Sequence, residues 1–250
     1  MLRSRIVPCL LMQDGGLVKT RGFGAPKYVG DPLNAVKIFN EKQVDELMFL
    51  DIDASAKRRP PDFKRLRSLA IESRMPLCYG GGVTHADEAV KIISSGFEKV
   101  SVSAAALARP ALVREMAQAV GTQSVVVTID VRRNRLLAGY TIHSLNGREK
   151  HRTPLLEFCR QAEDLGAGEL VINSIDRDGE MAGYDLDLAR QVRAAVSIPL
   201  TFVGGAGNVQ HMQELIDAVG VVGAAAGSMF VFKGPFRAVL ISYDRPARLA

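Results

Sequence analysis

The chain has 250 residues, 47% of them hydrophobic, enough to fill one domain's sheet interior and the helix layer around it. Its longest apolar runs, such as residues 219–232, are broken by glycines and fall short of the roughly 18 residues of a membrane span. A formal net charge of +5, with no basic stripe interleaved with aromatics, describes an ordinary solvated surface and argues against nucleic-acid binding.

The first residues include Arg3 and Arg5 but pass directly into a strand-like run without a small-residue cleavage site, so a cytoplasmic chain is expected. Strand-like apolar runs recur at residues 5–11, 46–51, 76–79, 99–103, 124–130, 169–174, 200–203 and 222–225. Amphipathic stretches separate them, the pattern of parallel strands each covered by a helix. Helix starts are marked on the way: Asp31-Pro32 offers an N-cap followed by proline, and Thr84 with Asp87 has the spacing of a capping box. Eight strands in this rhythm predict an α/β chain with one domain over residues 1–250, a closed (β/α)8 TIM barrel. Gly80-Gly81 followed by Gly96 repeats as Gly204-Gly205 followed by Gly220, and Asp51-Ile52-Asp53 is echoed by Asp176-Arg177-Asp178. The barrel therefore reads as two related halves.

Two segments break the rhythm, and both follow strand C-termini, the face where such barrels carry their chemistry. Residues 12–30, with Gly15, Gly16, Gly22 and Gly24, form either a mobile lid or a disordered surface loop. After the fifth strand, residues 136–143 and the turn Asn146-Gly147 suggest a β-hairpin on the barrel rim.

Related halves predict related binding places. Gly80, Gly81 and Gly82 with Ser103 and Ala104 form one candidate phosphate cradle; Gly179, Gly204, Gly205 and Ser228 form the other. Glycine clusters also serve as tight turns, but two at matching places point to a substrate phosphorylated at both ends. Asp130 ends the run Val125-Val126-Val127-Thr128-Ile129, which puts its carboxylate at the barrel mouth as either a general acid–base group or a loop cap. Asp176 and Asp178 end the sixth strand and either position substrate hydroxyls or brace loops. Arg5, Glu46, Lys99 and Glu169 stand near strand starts and meet at the opposite face, as a salt-bridge cluster or a gate. Cys9, Cys78 and Cys159 are expected to be reduced and buried, and His85, His143, His151 and His211 lack metal-ligand spacing. No metal or cofactor is called for.

Over nearly the whole chain the motifs resemble a known family. They are Arg5-Ile6-Val7-Pro8-Cys9-Leu10, Asp14-Gly15 with Val18-Lys19, Gly30-Asp31-Pro32, Asp45-Glu46-Leu47, Phe49-Leu50-Asp51-Ile52, Gly80-Gly81-Gly82, Ser174-Ile175-Asp176-Arg177-Asp178-Gly179 and Gly204-Gly205-Ala206-Gly207. The family is HisF, the cyclase subunit of imidazole glycerol phosphate synthase, a lyase of histidine biosynthesis. The resemblance implies a HisF-like barrel that pairs with a HisH glutaminase as a heterodimer, in a glutamine amidotransferase complex. Ammonia would enter at the N-terminal face, through a gate at Arg5, Glu46, Lys99 and Glu169, and travel an ammonia channel along the barrel axis. In the family a bisphosphorylated formimino-aminoimidazole carboxamide ribonucleotide is split and cyclised, which fits two phosphate cradles.

Two aspartates act as acid and base in that family. Asp130 matches one; Leu11 stands at the other. The polar pair of the first cradle is reduced to Ser103 and Ala104. The runs Pro8-Cys9-Leu10-Leu11 and Gly15-Gly16-Leu17-Val18-Lys19-Thr20 look like a divergent WbuZ-type branch associated with surface-polysaccharide clusters. That branch implies ammonia use in acetamidino-sugar formation for O-antigen (lipopolysaccharide), with a third amidotransferase-like partner, a small phosphorylated or nucleotide-sugar substrate, and Lys19 near it. The alternatives are a working imidazole glycerol phosphate cyclase with a relocated acid, such as Asp176 or a lid residue, and a non-catalytic ammonia conduit.

Overall fold

The computed structural model describes residues 3–134 and 139–243. Strands β1 (Arg5–Gln13), β2 (Gly16–Lys19) and β3 (Lys27–Gly30) lead into helix α1 (Pro32–Lys42). Then follow β4 (Leu47–Asp51), α2 (Phe63–Glu72), β5 (Leu77–Gly80), α3 (Ala86–Ser94), β6 (Lys99–Val102), α4 (Ala104–Ala108) and α5 (Ala111–Val120). The second half runs through β7 (Val125–Arg133), β8 (Tyr140–Ser144), β9 (Glu149–Pro154), α6 (Leu155–Asp164), β10 (Glu169–Ser174) and α7 (Leu186–Ala195). It ends in β11 (Leu200–Val203), α8 (Val209–Val219), β12 (Gly223–Ala226), α9 (Ser228–Val231) and a small hairpin, β13 (Phe232–Lys233) with β14 (Ala238–Val239).

Eight of these strands pair in parallel in the order β1, β4, β5, β6, β7, β10, β11, β12, and β12 pairs back with β1. The sheet has closed, as the eight apolar runs predicted. Alternate residues point inward. Val7, Cys9, Met48, Cys78, Val126, Val171 and Ala225 fill the barrel interior, while the opposite strand faces pack against the helices. Helix α1 shows how the outer layer is specified: Pro32, Ala35, Val36 and Phe39 form its buried stripe. Asp31 accepts a hydrogen bond from the Asn34 N–H, and proline occupies the first turn, where no intrahelical donor is needed. Burying Phe39 completely contributes about 2 kcal/mol.

The halves correspond. Glycines follow the third barrel strand of each half, β5 and β11, and Ser103 and Ser228 begin the turns after the fourth strands, β6 and β12. The three cysteines are free and buried, and burial pushes the Cys9 and Cys159 thiols up to about 12. Among the described residues no helix is long and apolar enough to cross a membrane.

Two expectations are corrected and a third is met. The capping box before α3 sits one residue later than Thr84 and Asp87: His85 is the N-cap, and Glu88 accepts from the Thr84 N–H at 2.7 Å and the His85 N–H at 3.1 Å. Residues 12–30 are not an unstructured loop. Asp14 and Gly15, both at positive φ, turn β1 back into the antiparallel β2, and β3 pairs with β2. Gly22 N–H donates to Asp178 O at 2.9 Å, tying this extension to the end of the sixth barrel strand. The rim hairpin is present as β8 and β9, turning at Leu145-Asn146-Gly147, all with positive φ. It starts at Tyr140, and residues 136–138 of the expected range lie outside the described residues.

Candidate functional site

The strand C-termini enclose a cavity of about 200 Å³. It brings together Asp130, Leu11, Gly82, Ser103 and Ala104. A smaller space of about 30 Å³ adjoins it and holds Lys19, Asp178, Gly179, Gly205 and Ser228. Leu11, Phe23 and Asn173 line both, so the two candidate cradles flank one continuous site.

Asp130 reaches the larger cavity because β7 alternates: Val126 and Thr128 point inward below it. Its Oδ1 accepts from Asn173 Nδ2 at 2.9 Å. Burial raises its pKa from 3.8 to about 7, opposed by the Asn173 N–H and reinforced by the charge of Asp178. A carboxylate with its midpoint near neutrality exchanges a proton at little cost, which suits acid–base chemistry. Opposite it, Leu11 pairs in register with Leu50, and both line the cavity, so neither of these side chains offers a proton.

In the second cradle, Lys19 Nζ forms a buried ion pair with Asp178 Oδ1. Thr20 Oγ1 and the Phe23 N–H donate to Asp178 Oδ2 at 2.6 and 3.2 Å. Asp178 is therefore fully engaged in holding the β1–β2 extension down over the site. Ser228 is 4% exposed, and its Oγ has no hydrogen-bond partner among the described residues. A buried hydroxyl left free is costly, and an anionic ligand oxygen would satisfy it. Glycine at positions 82 and 205 is dictated by the chain itself: a Cβ would lie 2.3 Å from Arg59 O and 2.1 Å from Gly183 O, at φ values of +71° and +108°. The tight-turn reading thus holds at both places and leaves the backbone close to the cavities.

Asp176 is elsewhere. Its Oδ2 accepts from the Arg133 N–H at 2.7 Å and it lines a separate groove with Gly22, Arg132, Arg133 and Ile175. It is hydrogen-bonded to the end of β7 and lines neither the cavity that holds Asp130 nor the one that holds Ser228.

Sequence reasoning missed several residues here. Asp51 lines the larger cavity, with burial raising its pKa, yet its Oδ1 accepts from the Asp53 and Ala54 N–H groups at 3.2 and 3.1 Å. Ser101 and Thr128 hydroxyls share a 2.6 Å hydrogen bond in the same wall. Asn173 was the most consequential omission. Inward period-two spacing at strand ends marks Thr128 and Asn173 and was the signal available for them.

At the opposite end, Arg5, Glu46, Lys99 and Glu169 do meet. Glu169 accepts from Arg5 at 2.7 Å and Lys99 at 2.8 Å, and Glu46 accepts from Lys99 at 2.8 Å and from Arg5. Thr201, unforeseen, donates to Glu169 at 2.5 Å. Burial opposes charge on Glu169, but Lys99 and Arg5 hold its pKa below the ordinary value. The ring spans the barrel base, directly beneath the plug of Val7, Met48, Cys78, Val126 and Val171. Among the described residues no cluster could hold a metal ion.

Residues 5–237 match the family described as "Histidine biosynthesis protein". The chain is 50% identical over 247 residues to a candidate imidazole glycerol phosphate synthase subunit hisF3 of Vibrio vulnificus (strain YJ016), covering 99% of this chain and 95% of that one. It is 49% identical over 243 residues to a candidate HisF subunit of the same synthase from Leptospira borgpetersenii, covering 97% and 96%. To the imidazole glycerol phosphate synthase subunit HisF of Thermobifida fusca (strain YX) it is 39% identical over 235 residues, covering 92% and 91%.

Proposed function

The chain belongs to the histidine biosynthesis protein family as a HisF homologue, and on that premise we propose that it is a single-domain HisF-type synthase subunit using ammonia on a phosphorylated substrate. A HisH-like glutaminase supplies the ammonia at the barrel base, past Arg5, Glu46, Lys99 and Glu169. The substrate lies across the two adjoining cavities, its ends held by Gly82, Ser103 and Ala104 on one side and by Gly179, Gly205 and Ser228 on the other. Lys19 closes the second cradle, held in place by Asp178. Asp130 transfers the proton. The observation that carries this reading is the Asp130 carboxylate lining the larger of two adjoining cavities, with burial holding its pKa above the ordinary carboxylate range.

The finer proposal concerns the reaction. Leu11 cannot transfer a proton, and general acid–base help is worth roughly 10²–10⁴-fold. An apolar wall where the family has an acid supports a native reaction that keeps ammonia delivery and drops cyclisation. The WbuZ-type reading, acetamidino-sugar formation for O-antigen with a third amidotransferase-like protein, accounts for this. Imidazole glycerol phosphate cyclisation is the second reading, favoured by the names that the relatives carry.

The experiment combines the chain with a HisH-like glutaminase and follows glutamine-dependent and ammonia-dependent product formation, with Asp130→Asn beside the wild type. Loss of product with glutaminase activity retained is expected. Unchanged product formation by Asp130→Asn would instead make the barrel a conduit.

A further inference from the structure

Asn173 belongs to none of the glycine or aspartate motifs, yet β10 carries it to the centre of the site. It is the register partner of Asp130 on the parallel pair β7–β10, so the two inward side chains stand side by side. It is 7% exposed and lines both cavities. Its 2.9 Å hydrogen bond is the only one from a side chain to Asp130 among the described residues. The neighbours of Asp130 in this wall, the Ser101 and Thr128 hydroxyls, are engaged with each other.

We propose that Asn173 is a positioning residue: its amide N–H fixes the Asp130 carboxylate toward the larger cavity and favours the ionised form against the apolar strand behind it. The direction follows from donor chemistry. An ionised carboxylate offers only acceptors, so the amide must present its NH₂ group, and a donor to a carboxylate stabilises the charged form. Because that NH₂ group is directed at Asp130, the Asn173 carbonyl oxygen is left to accept from a ligand between the two cavities. The role of this pair in turnover rests on the reading of Asp130 given above, but the effect of Asn173 on Asp130 does not.

The test is a ¹³C NMR titration of protein labelled at aspartate Cγ, with the Asp130 resonance assigned by its loss in Asp130→Asn. Asn173→Leu keeps the shape and removes the donor; its Asp130 midpoint should rise by about one pH unit or more. Asn173→Asp places a second carboxylate there and should raise the midpoint further, whereas Asn173→Thr restores a hydroxyl donor and should return it toward wild type. An unchanged midpoint in Asn173→Leu overturns the proposal. If that variant fails to fold, equal midpoints in the Asp and Thr variants overturn it instead. The pH profile of turnover separates the two readings. A limb that tracks the NMR midpoint supports both; a midpoint that moves while the profile stays fixed upholds Asn173 as the positioning residue and removes Asp130 as the acid–base group.

Discussion

Replacing Asp130 with Asn should make the protein more stable while making it inactive. The native environment disfavours the Asp130 charge mainly through burial, raising its pKa from 3.8 to about 7. At about 1.4 kcal/mol per pH unit, this corresponds to roughly 4 kcal/mol once the group is ionised in both native and unfolded chains. The sign follows from proton counting. Between about pH 4 and 7 the unfolded chain has released the proton and the native chain retains it, so stability falls as pH rises through this window. Asparagine carries no charge at any pH and keeps an oxygen for the Asn173 N–H. Urea denaturation of both proteins at pH 5, 6, 7 and 8 should show Asp130→Asn gaining over wild type with rising pH, by about 2–4 kcal/mol at pH 8. A variant less stable than wild type at pH 8, or a difference independent of pH, would refute the claim that the site holds this carboxylate against its own charge.

The base of the barrel behaves in the opposite sense. Glu169→Gln leaves Arg5 and Lys99 with Glu46 alone and should cost about 3 kcal/mol at pH 7, measured by urea denaturation. Because Glu169 has a lowered native pKa, this contribution is present above the ordinary glutamate value and disappears as pH falls through the native one. Gly205→Ala puts a Cβ 2.1 Å from Gly183 O at positive φ and should lower stability by more than about 1 kcal/mol and weaken substrate binding in the same preparation. Ser228→Ala removes a buried hydroxyl that has no partner among the described residues, so the unliganded protein should gain about 1 kcal/mol or more while KM rises; an unchanged KM would remove Ser228 from the cradle.

The parts legible in the sequence are those governed by short-range rules. Barrel strands announced themselves because buried parallel strands are continuous apolar runs, and β10 and β11 have the limits that those runs imply. Asp130 and the matched glycines were legible because strand ends and half-barrel repeats fix positions along the chain. What the sequence hid depends on pairing between distant segments. The β1–β2–β3 extension was obscured by its glycines, although Asp14-Gly15 is a two-residue turn, and its anchoring to Asp178 crosses more than half the chain. Asn173 drew no attention because an amide within an apolar run has no motif; its importance comes from the register of β10 against β7. The donors that reach Asp176 and Asp178 also come from distant segments, β7 and the β1–β2 extension.

The most direct measurement is ammonia-dependent turnover of the formimino-aminoimidazole carboxamide ribonucleotide by wild type, Leu11→Asp and Asp130→Asn. A silent wild type, with activity emerging in Leu11→Asp and absent when Asp130→Asn is added to it, is the predicted result. Robust wild-type turnover, lost in Asp130→Asn, would contradict the diverged reaction and make the chain a cyclase of the ordinary histidine-pathway type.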